Sequence, residues 1–195
     1  DSSEACYDRT MTRAQKLCAA MDLINDTLEG EKQEACILGC GCPLGAMIGH
    51  VHCNRVSPDA GLSWLPEMPL PQWDKWNLPS ARSMLRNSLS RMSQHGRWWT
   101  NDPDCILLRD KGTTFSEDEI ISILTVKALS GGSFILSDDL SQVPAHRLRY
   151  AQQVLPATGL AALPIDILDQ GMPELLRLPL GRGSMAERHQ QPDSG

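Results

Sequence analysis

At 195 residues, 41% hydrophobic and 22% charged, the chain is long enough to bury one core and has the composition of an ordinary globular domain. A net charge of -6 excludes the basic stripe of a nucleic-acid surface, and no apolar run approaches the roughly 20 residues of a membrane span. Seven cysteines, odd in number and irregular in spacing, do not form the framework of a disulfide-stapled miniprotein, so buried thiols are expected.

The opening "DSSEACYDRT" has no initiator Met, basic n-region or apolar h-region; it shows no signal peptide, reads as part of a longer polypeptide and leaves the compartment open. Over residues 10–29 apolar side chains recur at Met11, Ala14, Leu17, Cys18, Met21, Ile24 and Leu28, a helical stripe with Gly30 placed to end it. "ACILG" (35–39) reads as a buried strand and "HVHCNRV" (50–56) as a second. Residues 61–78, rich in Pro and Trp, read as an irregular surface loop, in which Trp73 and Trp76 could stack on a sugar or anchor the loop. Ser80 caps a helix that puts Ala81, Met84, Leu85, Leu89 and Met92 on one face.

"GRWW" (96–99) reads as a third strand, followed by the loop "TNDPDC". Ser116 and Glu119 form a capping-box pair for a helix to about Leu129, which stops at Gly131-Gly132. "SFILS" (133–137) is a fourth strand, and Pro144 opens a helix through Val154. Residues 155–180 are punctuated by prolines and receive no element; the polar segment 181–195 is expected to be a disordered tail. His95 and His146 read as isolated and solvated, and Arg82, Arg86, Arg91 and Arg97 as a solvated face. "GGSF" lacks the further glycines of a dinucleotide-binding turn.

Strands alternating with amphipathic helices imply parallel pairing and an α/β fold. In such folds ligands bind at the carboxyl ends of the strands. Here those ends carry "CGCPLG", "RVSPD", "TNDPD" and "SDDLS", so Arg55, Asp59, Asp102, Asp104, Asp138 and Asp139 are expected to face one mouth. Carboxylates, an arginine and tryptophans suit a sugar, whose hydroxyls need bidentate partners and whose C–H face needs an aromatic ring. Arg55 and Asp59 lie on one short segment beyond a strand. If Asp59 protonates a leaving oxygen, burial or a neighbouring carboxylate must raise its pKa.

At "DRTMTRAQ", "ILGCGCPLG", "NRVSPD", "WWTNDPDCILLR" and "ALSGGSFILSDDLS" the chain resembles α-galactosidases of the melibiase type, glycoside hydrolase families thirty-six and twenty-seven, the former fitting best. The landmarks run in the family's order over residues 8–180. The resemblance implies a partial (β/α)8 TIM barrel over 1–180, roughly strands five to eight with their helices, and an α-galactoside as the partner. It calls for no cofactor and no metal, and allows a homo-oligomer of the parent enzyme. It further implies cleavage of terminal α-galactosyl groups with retention, through a covalent intermediate. By position, Asp59 takes the general acid/base role, Arg55 binds sugar hydroxyls, Cys40, Gly41 and Cys42 line the sugar pocket, and Asp102 and Asp104 fall on the substrate-binding loop.

The chain departs from the family in two places. The family's nucleophile, in a Lys-x-Asp motif on strand four, has no counterpart in "DSSEACY", and His52 stands where relatives usually have an Asp. Without the nucleophile a double displacement cannot run, so this chain alone is expected to be inactive. Two other readings stand beside it. One is a truncated, non-catalytic relative that binds carbohydrate or packs against another chain. The other is a zinc module built from Cys36, Cys40, Cys42, His50 and His52.

Overall fold

The computed structural model of the chain describes residues 8, 10–31, 35–67, 77–168 and 172–180. Cys6, Trp73, Trp76 and the expected tail 181–195 lie outside the described residues. Helix α1 (Arg13–Gly30) starts three residues after the expected onset because Thr12 caps it. The Thr12 hydroxyl accepts the Gln15 N–H at 3.3 Å, and Gln15 Oε1 accepts the Thr12 N–H at 2.8 Å, a reciprocal box. Of its apolar stripe, Leu17 and Met21 pack on a cluster of Met47, Val51, Val56 and Trp99, whereas Ile24 stays 46% exposed.

Strands β1 (Leu38–Gly39), β2 (Cys53–Arg55) and β3 (Thr100–Asp102) form one parallel sheet in that order. Strands β4 (Cys105–Ile106) and β5 (Ile135–Leu136) form a second parallel pair. Pro103 and Asp104 alone separate β3 from β4, so one interrupted extended segment serves both sheets. The parallel segments therefore lie side by side in the order of the sequence, with no reversal.

The third strand lies elsewhere than expected. Residues 96–99 form a turn, with Gly96 at φ 69°, closed by a bridge between His95 and Trp99. Trp99 is buried and its indole N–H donates to Asn101 Oδ1 at 3.0 Å, so the ladder begins at Thr100 and takes in the segment "TND" that reads as loop. Pro103, which has no N–H to donate, breaks the extended run.

Helix α2 (Ala81–Ser90) is capped by Ser80, whose hydroxyl accepts the Ser83 N–H at 3.2 Å. Helix α3 (Glu117–Ser130) carries the expected Ser116–Glu119 box and ends on Gly131 at φ 74°. The following Gly132 is required by packing, since a Cβ there would stand 2.2 Å from the Asn101 carbonyl oxygen. Pro144 opens helix α4 (Ala145–Gln153). The segment without an assigned element pairs β6 (Leu163–Pro164) with β7 (Leu176–Arg177) antiparallel.

The main core gathers Met84 and Leu85 of α2, Ile106 of β4 with Leu108 just after it, and Ile120, Ile123 and Leu124 of α3. Each such buried side chain contributes roughly 1.5–3 kcal/mol relative to exposure. This core holds the parallel strands against their helices and leaves the strand ends to carry polar groups.

Candidate functional site

Arg55 ends β2, and its register partner across the parallel ladder is Asp102. Partners in register project to the same face, and here they meet: Arg55 Nε donates to Asp102 Oδ2 at 2.9 Å. The other Asp102 oxygen accepts the Asp104 N–H at 2.9 Å and the Ser133 hydroxyl at 3.1 Å. Asp104 sits at φ 70°, a left-handed conformation that Asp tolerates better than most residues. That turn after Pro103 aims its carboxylate back at Arg55 Nη2, 3.1 Å away, while its oxygens also accept the Ala60 N–H (2.5 Å) and the Cys105 N–H (2.6 Å). Arg55 Nη1 reaches Asp59 Oδ1 at 3.4 Å.

One guanidinium thus gathers three carboxylates from the ends of β2 and β3 and from the kink before β4. Side-chain exposure grades them: 2% for Asp102, 11% for Asp104 and 79% for Asp59, with Arg55 at 18%. Burial alone would raise the Asp102 pKa, but the Arg55 hydrogen bond, the Asp104 N–H, the Arg55 charge and the Ser133 hydroxyl together hold it below the ordinary value. Burial likewise pulls Arg55 down, and Asp102 and Asp104 more than reverse it.

Lys127 holds this arrangement from behind. Its amine is buried and donates to the main-chain carbonyls of Pro103 and Asp104, the two residues that form the kink. Burial pushes its pKa down to about 7, against the opposing pull of Asp104 and Asp102. The sequence carried a signal for it: Lys127 follows Ile120, Ile123 and Leu124 at i+7, i+4 and i+3 on the buried face of α3, where a solvated lysine does not belong. Arg91 departs from the expected solvated face in the same way. Its Nη1 donates to the Val56 carbonyl, next to Arg55, and to Asn87 Oδ1 at 2.6 Å.

Cys40, Gly41 and Cys42 follow β1, with Gly41 at φ 68°. The Cys42 thiol donates to Asn54 Oδ1 at 3.3 Å, and burial raises its pKa. Gly39 permits this return of the chain, since a Cβ there would lie 2.7 Å from Asn54 Oδ1 and 2.9 Å from Cys42 Sγ. Cys40 is exposed.

The structure therefore brings Arg55, Asp59, Asp102 and Asp104 together. It does not bring in Asp138 or Asp139. The Asp138 side chain is fully buried, binding Arg109 Nη1 at 2.9 Å and the Leu108 N–H, and Asp139 caps the turn Leu140–Gln142 by accepting the Ser141 N–H at 3.0 Å. Both are local architecture. Asp59 lacks the surroundings expected of a proton donor among the described residues: it is mostly exposed and its charged neighbour is Arg55.

The zinc set is not assembled. Cys36 Sγ faces Cys53 Sγ at 3.7 Å, His50 Nδ1 faces Asp22 Oδ1 at 3.1 Å, and His52 Nδ1 accepts the Ile37 N–H at 3.1 Å. Among the described residues no group of three or more His, Cys, Asp or Glu is placed to hold a metal. Nor are the thiols buried as expected: Cys36 and Cys40 are exposed and the other described cysteines half-buried. His95 and His146 are not isolated either. His95 accepts the Asn101 N–H at 3.2 Å and contacts the Gly159 carbonyl at 3.1 Å, and His146 lies 3.2 Å from Glu117.

No family model matches the chain. Two solved structures of an α-galactosidase from Thermus thermophilus, one in complex with stachyose and one with p-nitrophenyl α-D-galactopyranoside, are similar to 73% of it at 24% identity, with TM-scores of 0.62 and 0.61. The chain spans 30% and 29% of those two chains. At this identity the likeness establishes a fold: the chain has the α/β architecture, with small parallel sheets, of part of that enzyme.

Proposed function

We propose that the chain is a segment of a retaining α-galactosidase, contributing strands five to eight of a (β/α)8 barrel and, in Asp59, the general acid/base. The observation that carries this reading is the convergence on Arg55 of carboxylates from two neighbouring strand ends and the kink beyond them. Parallel segments that follow one another without reversal support a barrel sector over a doubly wound sheet, in which the order reverses at the ligand crevice.

In this reading the residues divide the work by exposure. Asp102, enclosed, orients Arg55 and does not touch substrate. Arg55 donates from its outer edge to sugar hydroxyls, Asp104 accepts from them, and Cys40, Gly41 and Cys42 border the same ring. Asp59, on the open side, protonates the departing glycosidic oxygen and then takes a proton from the water that releases the sugar. The nucleophilic carboxylate comes from a strand outside these 195 residues, and the wall that would bury Asp59 comes with it. A second reading, a galactoside-binding segment without turnover, is favoured by the exposure of Asp59 and its contact with Arg55.

The test uses a polypeptide that also carries the upstream Lys-x-Asp strand. There Asp59→Asn should cut turnover of stachyose, whose leaving group needs acid assistance, by about 10²–10⁴-fold. Turnover of p-nitrophenyl α-galactoside, with its good leaving group, should fall far less. Equal losses on both substrates, or none, contradict the role of Asp59. Binding of both without hydrolysis by the unsubstituted polypeptide favours the second reading.

A further inference from the structure

Cys36 and Cys53 stand side by side, their sulfurs 3.7 Å apart across 17 positions of sequence. The contact follows from the sheet. Leu38 pairs with Cys53, and the Ile37 carbonyl accepts the N–H groups of His52 (3.0 Å) and Cys53 (3.1 Å), so the segment leading into β1 is held along β2. Cys36 is exposed and Cys53 half-buried. Two other thiols are committed elsewhere: Cys42 to Asn54 Oδ1, and Cys18 to the Ala46 carbonyl at 3.5 Å. The pair thus has the parts of a redox site, an accessible attacking sulfur and a sheltered resolving one in contact with it.

We propose that Cys36 and Cys53 are a reversible dithiol–disulfide site that reacts with low-molecular-weight disulfides of the glutathione class. The Cys36 thiolate attacks one sulfur of oxidised glutathione, forming a mixed disulfide and releasing one glutathione thiolate. Cys53 loses its proton to solvent and attacks the Cys36 sulfur, forming the intramolecular bond and releasing the second glutathione. Two protein thiols are oxidised and one disulfide is reduced to two thiols. Closing from 3.7 Å to a bond of about 2.05 Å moves the sulfurs together by roughly 1.7 Å, within reach of side-chain rotation. The bond would tie the segment leading into β1 to the first residue of β2, ahead of the Cys40–Cys42 turn and Arg55.

The experiment treats the full chain with oxidised glutathione under native conditions, blocks the remaining thiols by alkylation, and cleaves at Met47, which separates Cys36 from Cys53. The expected product is one disulfide joining the two fragments, assigned to Cys36 and Cys53 by tandem mass spectrometry and lost on reduction. Cys53→Ser should instead accumulate a glutathione adduct on Cys36, and Cys36→Ser should leave Cys53 free. A stable Cys36 adduct in the unsubstituted chain, or a link between other cysteines, overturns the proposal. Should either serine variant fail to fold, the unsubstituted chain in urea supplies the control: the native preference for this pair must give way to mixed pairings. An unchanged pattern in urea shows that sequence proximity, not the sheet, selects the pair, and overturns the proposal too.

Discussion

Arg55 contacts three carboxylates of unequal exposure, and the inequality decides which contact carries stability and which is left for a ligand. Asp102, at 2% side-chain exposure, neutralises a guanidinium that is itself 18% exposed. Removing one partner of an enclosed pair strands the other, so Asp102→Ala should lower unfolding stability by about 3 kcal/mol in urea titration. Asp59, at 79% exposure, makes a screened surface contact, and Asp59→Ala should leave the urea midpoint where it was. The Asp102 contribution also has a sign in pH. Its folded pKa lies below the ordinary 3.8, so the stability is fully present above that value and lost as pH falls through the lower folded value. Asp102→Ala should flatten that acid limb. The sequence shows that Arg55 and Asp59, four positions apart beyond a strand, can share a ligand. It does not show that Asp102 turns inward, because the segment around it reads as loop and enclosure is decided by the neighbouring strand.

Helix α3 shows how much of an element its own residues specify. The Ser116–Glu119 box and Gly131 mark its two ends in the sequence, and the structure has them at 3.3 Å and 2.9 Å and at φ 74°. Those signals are local, which is why they can be read without the fold. The third strand is the opposite case. Its residues "TND" carry turn chemistry, and they become a strand because buried Trp99 and the β2 ladder beside them supply partners that propensity alone does not reveal. Lys127 belongs with it: its place on an apolar stripe was visible, its partners across the core were not. With an ordinary pKa of 10.5 brought down to about 7 by burial, Lys127 is unprotonated in the folded chain and protonated in the unfolded one between these values. The unfolded state then binds more protons, and stability rises with pH across that window, by at most about 1.4 kcal/mol per pH unit. Chemical denaturation at a series of pH values checks this. Lys127→Met should remove the rise, and a slope that persists in the variant would locate its source elsewhere.

Across the whole molecule, the alternation of helices and apolar runs predicts parallel strands, and β1–β2–β3 and β4–β5 are parallel. What alternation does not predict is which strand ends meet. Asp138 and Asp139 occupy an equivalent place after β5, yet Arg109, the Leu108 amide and the Ser141 amide engage them locally, while the register of β2 with β3 brings Asp102 to Arg55 and the left-handed turn after Pro103 brings Asp104. Apolar strand side chains at Leu38 (45% exposed) and Ile135 (41% exposed) face away from the described core, as they would where further strands complete a barrel. The Arg55 cluster lies at and just beyond the carboxyl ends of β2 and β3, so its fitness for a galactoside can be measured apart from turnover. The direct test is a nuclear magnetic resonance titration of the chain with methyl α-D-galactoside, observing the Arg55 guanidinium and the amides of Gly41, Asp59 and Asp104. The predicted result is a saturable set of shifts centred on these four residues and lost in Arg55→Ala; saturable shifts centred elsewhere, or none at any concentration of the sugar, would contradict it.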